Sequence, residues 1–195
     1  MTGFARLMLV MAALLLGGFA TSARAADQSF PLDEIEGKAD APNTIIEYSS
    51  LTCPHCAHFH AEIWPELKTK WVDTGKAKFI MRDFPLDGRA MAAAMVAHCS
   101  GDHYFAFIDT FFRTQQGWGR AEDGVAAIKT LGKFGGMSEE QIDSCLANEG
   151  LMDQIKQRQD AGASKYNIES TPTFVVNGHV IVGAEPYETF AKYLK

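Results

Sequence analysis

The chain of 195 residues has no basic run, no internal repeat and no low-complexity tract. It carries 18 Lys and Arg against 24 Asp and Glu, a formal charge of −6. An acidic chain without a cation cluster lacks the electrostatic footprint of a nucleic-acid binder. Cysteine is scarce, at four residues. That is too few for a disulfide-dense miniprotein, so the fold must rest on a hydrophobic core. The 47% apolar content is enough to build one domain, with room for an insertion.

The one long apolar run lies at the start. Leu7 to Ala20 is nearly unbroken, preceded by Arg6 and followed by Ala23-Arg24-Ala25. A positive start, a short apolar run and an A-x-A site form the layout of a cleavable signal peptide over residues 1–25. At ~1.5 Å per residue the run reaches only ~21 Å, short of the ~30 Å hydrocarbon core. Export follows, and the formal charge of the mature part becomes −8 once Arg6 and Arg24 are removed. Residues 26–42 read as a polar, turn-rich leader without a strand.

Period and turn signals then give the elements. Thr44 to Ser49 is β-branched and reads as a strand, and Lys76 to Arg82 alternates as a second. Between them, Cys56, Phe59, Ile63, Trp64 and Leu67 have helical spacing, with Pro65 expected to kink a helix running from Cys53 to about Val72. Near the end, Thr173 to Val176 and His179 to Val182 flank Asn177-Gly178, a hairpin signal because both turn residues need positive φ. A last helix spans Tyr187 to Leu194. The 88 residues from Asp83 to Ser170 show no strand and read as helices, one opened by the capping box Ser138-Glu139-Glu140-Gln141. A βαβ half and a ββα half around a helical insert predict an α/β thioredoxin fold with an inserted helical domain. The expected division is 26–83 with 151–195 for the thioredoxin part and 84–150 for the insert.

The chemistry concentrates in Cys53-Pro54-His55-Cys56 at a strand-to-helix junction. There, free N–H groups and the helix dipole favour a thiolate on the first cysteine, and the second lies one turn on, in reach of a disulfide. The first sulfur is expected to be exposed and to exchange, the second to be buried and to resolve. His55 adds a donor, and a charge when protonated, near the Cys53 sulfur. A stabilised thiolate stabilises the reduced pair and makes its disulfide a stronger oxidant. Zinc would want a second close pair, but Cys99 and Cys145 are 46 apart; covalent haem would want His at position 57, which is Ala. An inert structural disulfide is the remaining bland alternative. His58 and His60 enrich the region, but their helical spacing reads mainly as one apolar and one exposed face.

Glu47 to Cys56, Arg82 to Leu86, Thr171-Pro172-Thr173-Phe174, Asn177-Gly178 and Val182-Gly183-Ala184 together resemble the DsbA family of periplasmic thiol oxidants. The resemblance covers essentially all of the mature part. It implies a cis peptide bond at Pro172 beside the cysteines, a Thr171 backbone that receives an extended substrate peptide, and a buried Glu47 that accepts or relays the Cys56 proton. It also implies no metal or organic cofactor, exported proteins as substrates, and reoxidation by a quinone-linked inner-membrane partner in the periplasm; the active species is expected to be a monomer. Best-known oxidants of the family carry an aliphatic residue where this chain has Thr171, which the related isomerases share. A disulfide isomerase or reductase is therefore the rival enzyme. A redox-inactive chaperone or interaction module is the rival from another class. Cys99 and Cys145 fall on apolar helix faces and are read as a structural disulfide, with two separate buried thiols as the alternative.

Overall fold

The computed structural model describes residues 33–195, so the signal-peptide reading of residues 1–25 lies outside the described residues. Among the described residues, no helix is long and apolar enough to cross a membrane.

Among the described residues, five strands form one mixed sheet: β1 (Glu34–Gly37), β2 (Asn43–Ser49), β3 (Ala77–Asp83), β4 (Thr173–Val176) and β5 (His179–Val182), in the order β1-β3-β2-β4-β5. β2 and β3 are parallel; the other pairings are antiparallel. β1 falls inside the segment read as a strandless leader. Its four residues pair antiparallel with β3, and backbone pairing to an open sheet edge needs no hydrophobic signal of its own.

The central strands are buried on both faces. Ile45, Phe79, Phe174 and Val176 point into the larger core, whereas Ile46, Ile80 and Val175 point into a smaller one. A long helical segment covers the larger face. It begins as α1 (Pro54–His58), passes through a π-helical turn at Phe59–Ile63 into α2 (Trp64–Leu67), and ends in a second π turn at Lys68–Val72. The Trp64 N–H reaches back to the Phe59 carbonyl, so the first π turn lies directly before Pro65. A wider turn absorbs the missing proline donor where the sequence suggested a kink.

The insert is helical throughout: α3 (Gly88–Cys99), α4 (Tyr104–Arg113), α5 (Gln115–Trp118), α6 (Gly124–Phe134) and α7 (Glu139–Leu146). Both halves of the Ser138–Gln141 capping box are formed. Tyr104, Ile108, Phe111 and Phe112 are all buried, as a core stripe should be. Cys99 at the end of α3 is joined to Cys145 of α7, with Cα atoms 6.1 Å apart. α8 (Glu149–Tyr166) returns to the sheet against the smaller core, and Gly162 makes that approach possible, since a Cβ there would lie 2.1 Å from the Tyr48 ring. Asn177 and Gly178 have φ of 48° and 90°, as their hairpin turn requires. α9 (Tyr187–Ala191) closes the chain, shorter than the sequence expectation.

A buried polar cluster fills the α8 side. Arg82 forms a fork with Asp33 at 3.0 and 2.7 Å and donates to the Tyr48 hydroxyl at 2.9 Å. Arg158 of α8 lies 3.6 Å from the same aspartate. His98 and Asp83 pair at 2.7 Å nearby.

Candidate active site

β2 ends at Ser49, and the turn that follows delivers Cys53 to the first position before α1. Cys53 is the N-cap, with φ −78° and ψ 120°, and Pro54 occupies the first helical position, where its missing N–H costs nothing. The turn is fixed by a hydrogen bond from the Cys53 N–H to the Ser50 carbonyl at 3.0 Å. It is fixed a second time from the insert. The Gln115 amide donates to the carbonyls of Leu51 at 2.8 Å and of Cys53 at 2.9 Å.

Cys53 and Cys56 are both free thiols. Cys53 is only 6% exposed, so the nucleophile candidate sits less open than the sequence suggested; Cys56 is fully buried. The Cys53 thiol donates to the Thr171 carbonyl at 3.3 Å. The Thr171–Pro172 peptide bond is cis. The loop before β4 is thereby held directly against the cysteine pair.

The two sulfurs are driven in opposite directions. The Cys53 thiol is lowered to about 5, chiefly because the Cys56 side chain hydrogen-bonds it. Burial acts against this, while the Thr171 side chain and the backbone N–H groups of Cys56 and His55 add to it. Cys56 is pushed strongly upward, first by burial, then by its hydrogen bond to Cys53 and by the negative charge of Glu47; the Ser49 hydroxyl opposes. One shared hydrogen bond therefore separates the pair: it stabilises the Cys53 thiolate and holds the proton on Cys56. The His55 ring is exposed, and the His55 backbone N–H at the helix start is among the groups that lower Cys53.

Glu47 is fully buried. The alternation of β2 puts it on the face of Ile45, beside its register partners Met81 and Phe174. Its Oε2 lies 2.8 Å from Nε2 of His60, while Oε1 is buried without a hydrogen-bond partner among the described residues. His60 is the site residue the sequence reading passed over. The signal was present: His60 follows Cys56 by four positions, which in a helix is one turn on the same face. Gln115 had no local signal, since it reaches the site only through the packing of the insert. His58 is exposed and stays outside the inner group.

The family model for thioredoxin matches residues 31–195. The crystal structure of Wolbachia pipientis α-DsbA1 superposes with a TM-score of 0.78 at 29% identity, covering 84% of this chain and 89% of that one. The chain belongs to the DsbA family of the thioredoxin superfamily. Among curated DsbA-like relatives, a putative protein-disulfide oxidoreductase of Rickettsia bellii is 30% identical over 155 residues, covering 77% of this chain and 60% of that protein. Disulfide bond formation protein D of Bacillus subtilis is 28% identical over 179 residues, covering 82% and 76%. The chain thus spans little more than half the length of the Rickettsia relative. In this DsbA-family chain the cysteine pair, the cis-proline loop and the buried acid stand together at one end of the sheet.

Proposed function

We propose that the chain is a thiol–disulfide oxidoreductase that donates the Cys53–Cys56 disulfide to exported proteins during oxidative folding. The observation that carries this is the opposite drive on the two sulfurs. A Cys53 thiolate stabilised relative to a free thiol, which titrates near ~8.5, favours the reduced pair and makes its disulfide a ready donor. A substrate thiolate attacks the Cys53 sulfur, the bond between Cys53 and Cys56 breaks, and Cys56 leaves and takes up a proton. A second substrate thiolate then attacks the substrate-side sulfur of the mixed disulfide, forms the substrate disulfide and releases Cys53 as a thiolate. Pro54 and His55 shape the helix start. The Thr171-Pro172 backbone, held against Cys53, receives the substrate as an extended strand. The disulfide of Cys99 and Cys145 serves to brace the insert.

Supporting context comes from the relatives, which bear the names of disulfide oxidoreductases and disulfide bond formation proteins. Export through a cleavable signal peptide to the periplasm, action as a monomer and reoxidation by a quinone-linked inner-membrane oxidase complete the proposal. Thr171 favours a second reading, since it holds a side chain against Cys53 that contributes to the thiolate and can temper exchange. That reading is a disulfide isomerase or reductase.

Two substrates decide between them. The oxidised protein should rapidly oxidise a reduced dithiol peptide and only slowly rescue a protein with scrambled disulfides, with monomer as the active species. Rapid rescue with slow dithiol oxidation would transfer the assignment to the isomerase.

A further inference from the structure

Cys56 has a proton to move and no surface open to solvent. It is fully buried, and each opening or closing of the disulfide changes its protonation. Glu47 is equally buried, so it cannot exchange that proton with solvent by itself. Its Oε2 is bonded to His60 at 2.8 Å, its second oxygen, Oε1, is buried without a hydrogen-bond partner among the described residues, and the Glu47 charge acts on Cys56. The His60 side chain is 7% exposed. Its ring is stacked on Phe112 of α4, with centroids 4.2 Å apart, and is flanked by Phe59, Trp64 and Phe79. His60 also lines a cleft of about 550 Å³ between α1 and α4, whose other walls include Pro54, His58, Asp109 and Arg113. One edge of the imidazole therefore meets the buried acid, and the residue meets an open cleft.

We propose that His60 is the proton relay of the Glu47–Cys56 pair, carrying the Cys56 proton between the buried carboxyl and water in the cleft beneath α4. The inference rests on the disulfide-exchange reading above. When substrate opens the disulfide, Cys56 departs with the electron pair of the broken S–S bond. Glu47 protonates it, His60 restores the Glu47 proton, and cleft water restores His60. When Cys56 closes the disulfide, the proton travels the same route outward. The charged and titratable groups facing His60 are Glu47 from β2, His58 from its own helix, and Asp109 and Arg113 from α4, the last two paired with each other at 3.3 Å. Arg113 and Asp109 offset one another, so the acid that governs the ring is Glu47. Phe112 fixes the imidazole plane, which keeps Nε2 on the carboxylate.

The test follows reduced protein reacting with oxidised glutathione. In the first step the Cys53 thiolate attacks one glutathione sulfur and expels the other as a thiolate. In the second, Cys56 attacks the Cys53 sulfur, expels the remaining glutathione thiolate and gives up its proton. His60→Gln can hold a hydrogen bond to Glu47 but carries no titrating proton; His60→Phe can do neither. In both variants the second step should slow about 100-fold relative to the first at neutral pH, the lower end of the range for general acid–base catalysis. Glu47→Gln should slow it similarly, and the double variant should add little. By NMR, the titration of the His60 ring should differ between the oxidised and reduced protein, and the difference should vanish in Glu47→Gln. A His60→Gln protein that completes the second step at the wild-type rate overturns the relay and leaves only positioning. If no glutathione adduct forms on Cys53 in the wild-type protein, the exchange reading itself fails, which is a separate outcome.

Discussion

Gln115 belongs to the helical insert, yet its side-chain amide lies 2.9 Å from the carbonyl oxygen of Cys53 and donates to it, while also holding Leu51. The insert therefore does more than cover the site. It fixes the backbone from which the reactive sulfur projects, and both carbonyls are removed from water by that contact.

Gln115→Leu should leave the Leu51 carbonyl unsatisfied, at a cost of about 1–3 kcal/mol, while the Cys53 carbonyl keeps the Ala57 N–H. Chemical denaturation of the reduced protein should show the loss, and the Cys53 reaction with an alkylating reagent should change with it. Unchanged stability together with unchanged reactivity would show that the turn holds itself.

Thiolate absorbance of the reduced protein should titrate at about 5, and Cys53→Ser should abolish it. The folded-state value is depressed below the free thiol. The stabilisation of the reduced folded state is therefore complete above ~8.5, shrinks as pH falls, and is gone below about 5. The potential of the pair should follow. Below that point reduction takes up two protons and the potential should fall about 59 mV per pH unit. Above it only one proton is taken up, and the slope should be about 30 mV. A single slope of about 59 mV up to pH 8 would contradict the assignment.

Cys56→Ala removes the thiol that contributes most to lowering Cys53. Two effects should appear together: the Cys53 titration moves upward from about 5, and mixed disulfides accumulate when Cys53 attacks oxidised glutathione or a disulfide substrate and expels one thiolate, because no second thiol resolves them. Mass spectrometry after acid quenching reads the second effect. Trapping by Cys53→Ala instead would reverse the roles of the two residues.

Cys99 and Cys145 close a loop with a sequence separation of 46. In the chain-entropy account such a link is worth about 4 kcal/mol. The variant Cys99→Ala with Cys145→Ala should unfold at lower denaturant by roughly that amount while Cys53 keeps its low titration, since the pair lies away from the site. A stability change near zero would mean that helix packing alone holds the insert.

Much of this arrangement is local and was legible before any coordinates. The hairpin at Asn177-Gly178 follows from two residues that tolerate positive φ. The capping box at Ser138 follows from side chains three positions apart. The helix start at Cys53 follows from the end of a β-branched strand. The cysteine spacing places two sulfurs on adjacent turns, which is geometry that any helix supplies. Even the face on which Glu47 sits was readable, because a strand alternates with period two and Ile45 lies on the same side.

What tertiary structure alone decided involves groups far apart in sequence. β1 was invisible because an edge strand gains its hydrogen bonds from β3, not from its own composition. Gln115 acts 62 residues from Cys53, and Arg158 meets Asp33 through the return of α8. His60 was misread for a related reason. Its spacing placed it on the Cys56 side, but only the packing of α4 and β2 around that helix turned an ordinary histidine into the buried partner of Glu47. The sequence by itself determined the elements other than β1, the candidate cysteine pair and the family. The depressed Cys53 thiol, the elevated Cys56 thiol and the buried acid beside them required the fold, because desolvation and hydrogen bonding depend on which surfaces close over a group.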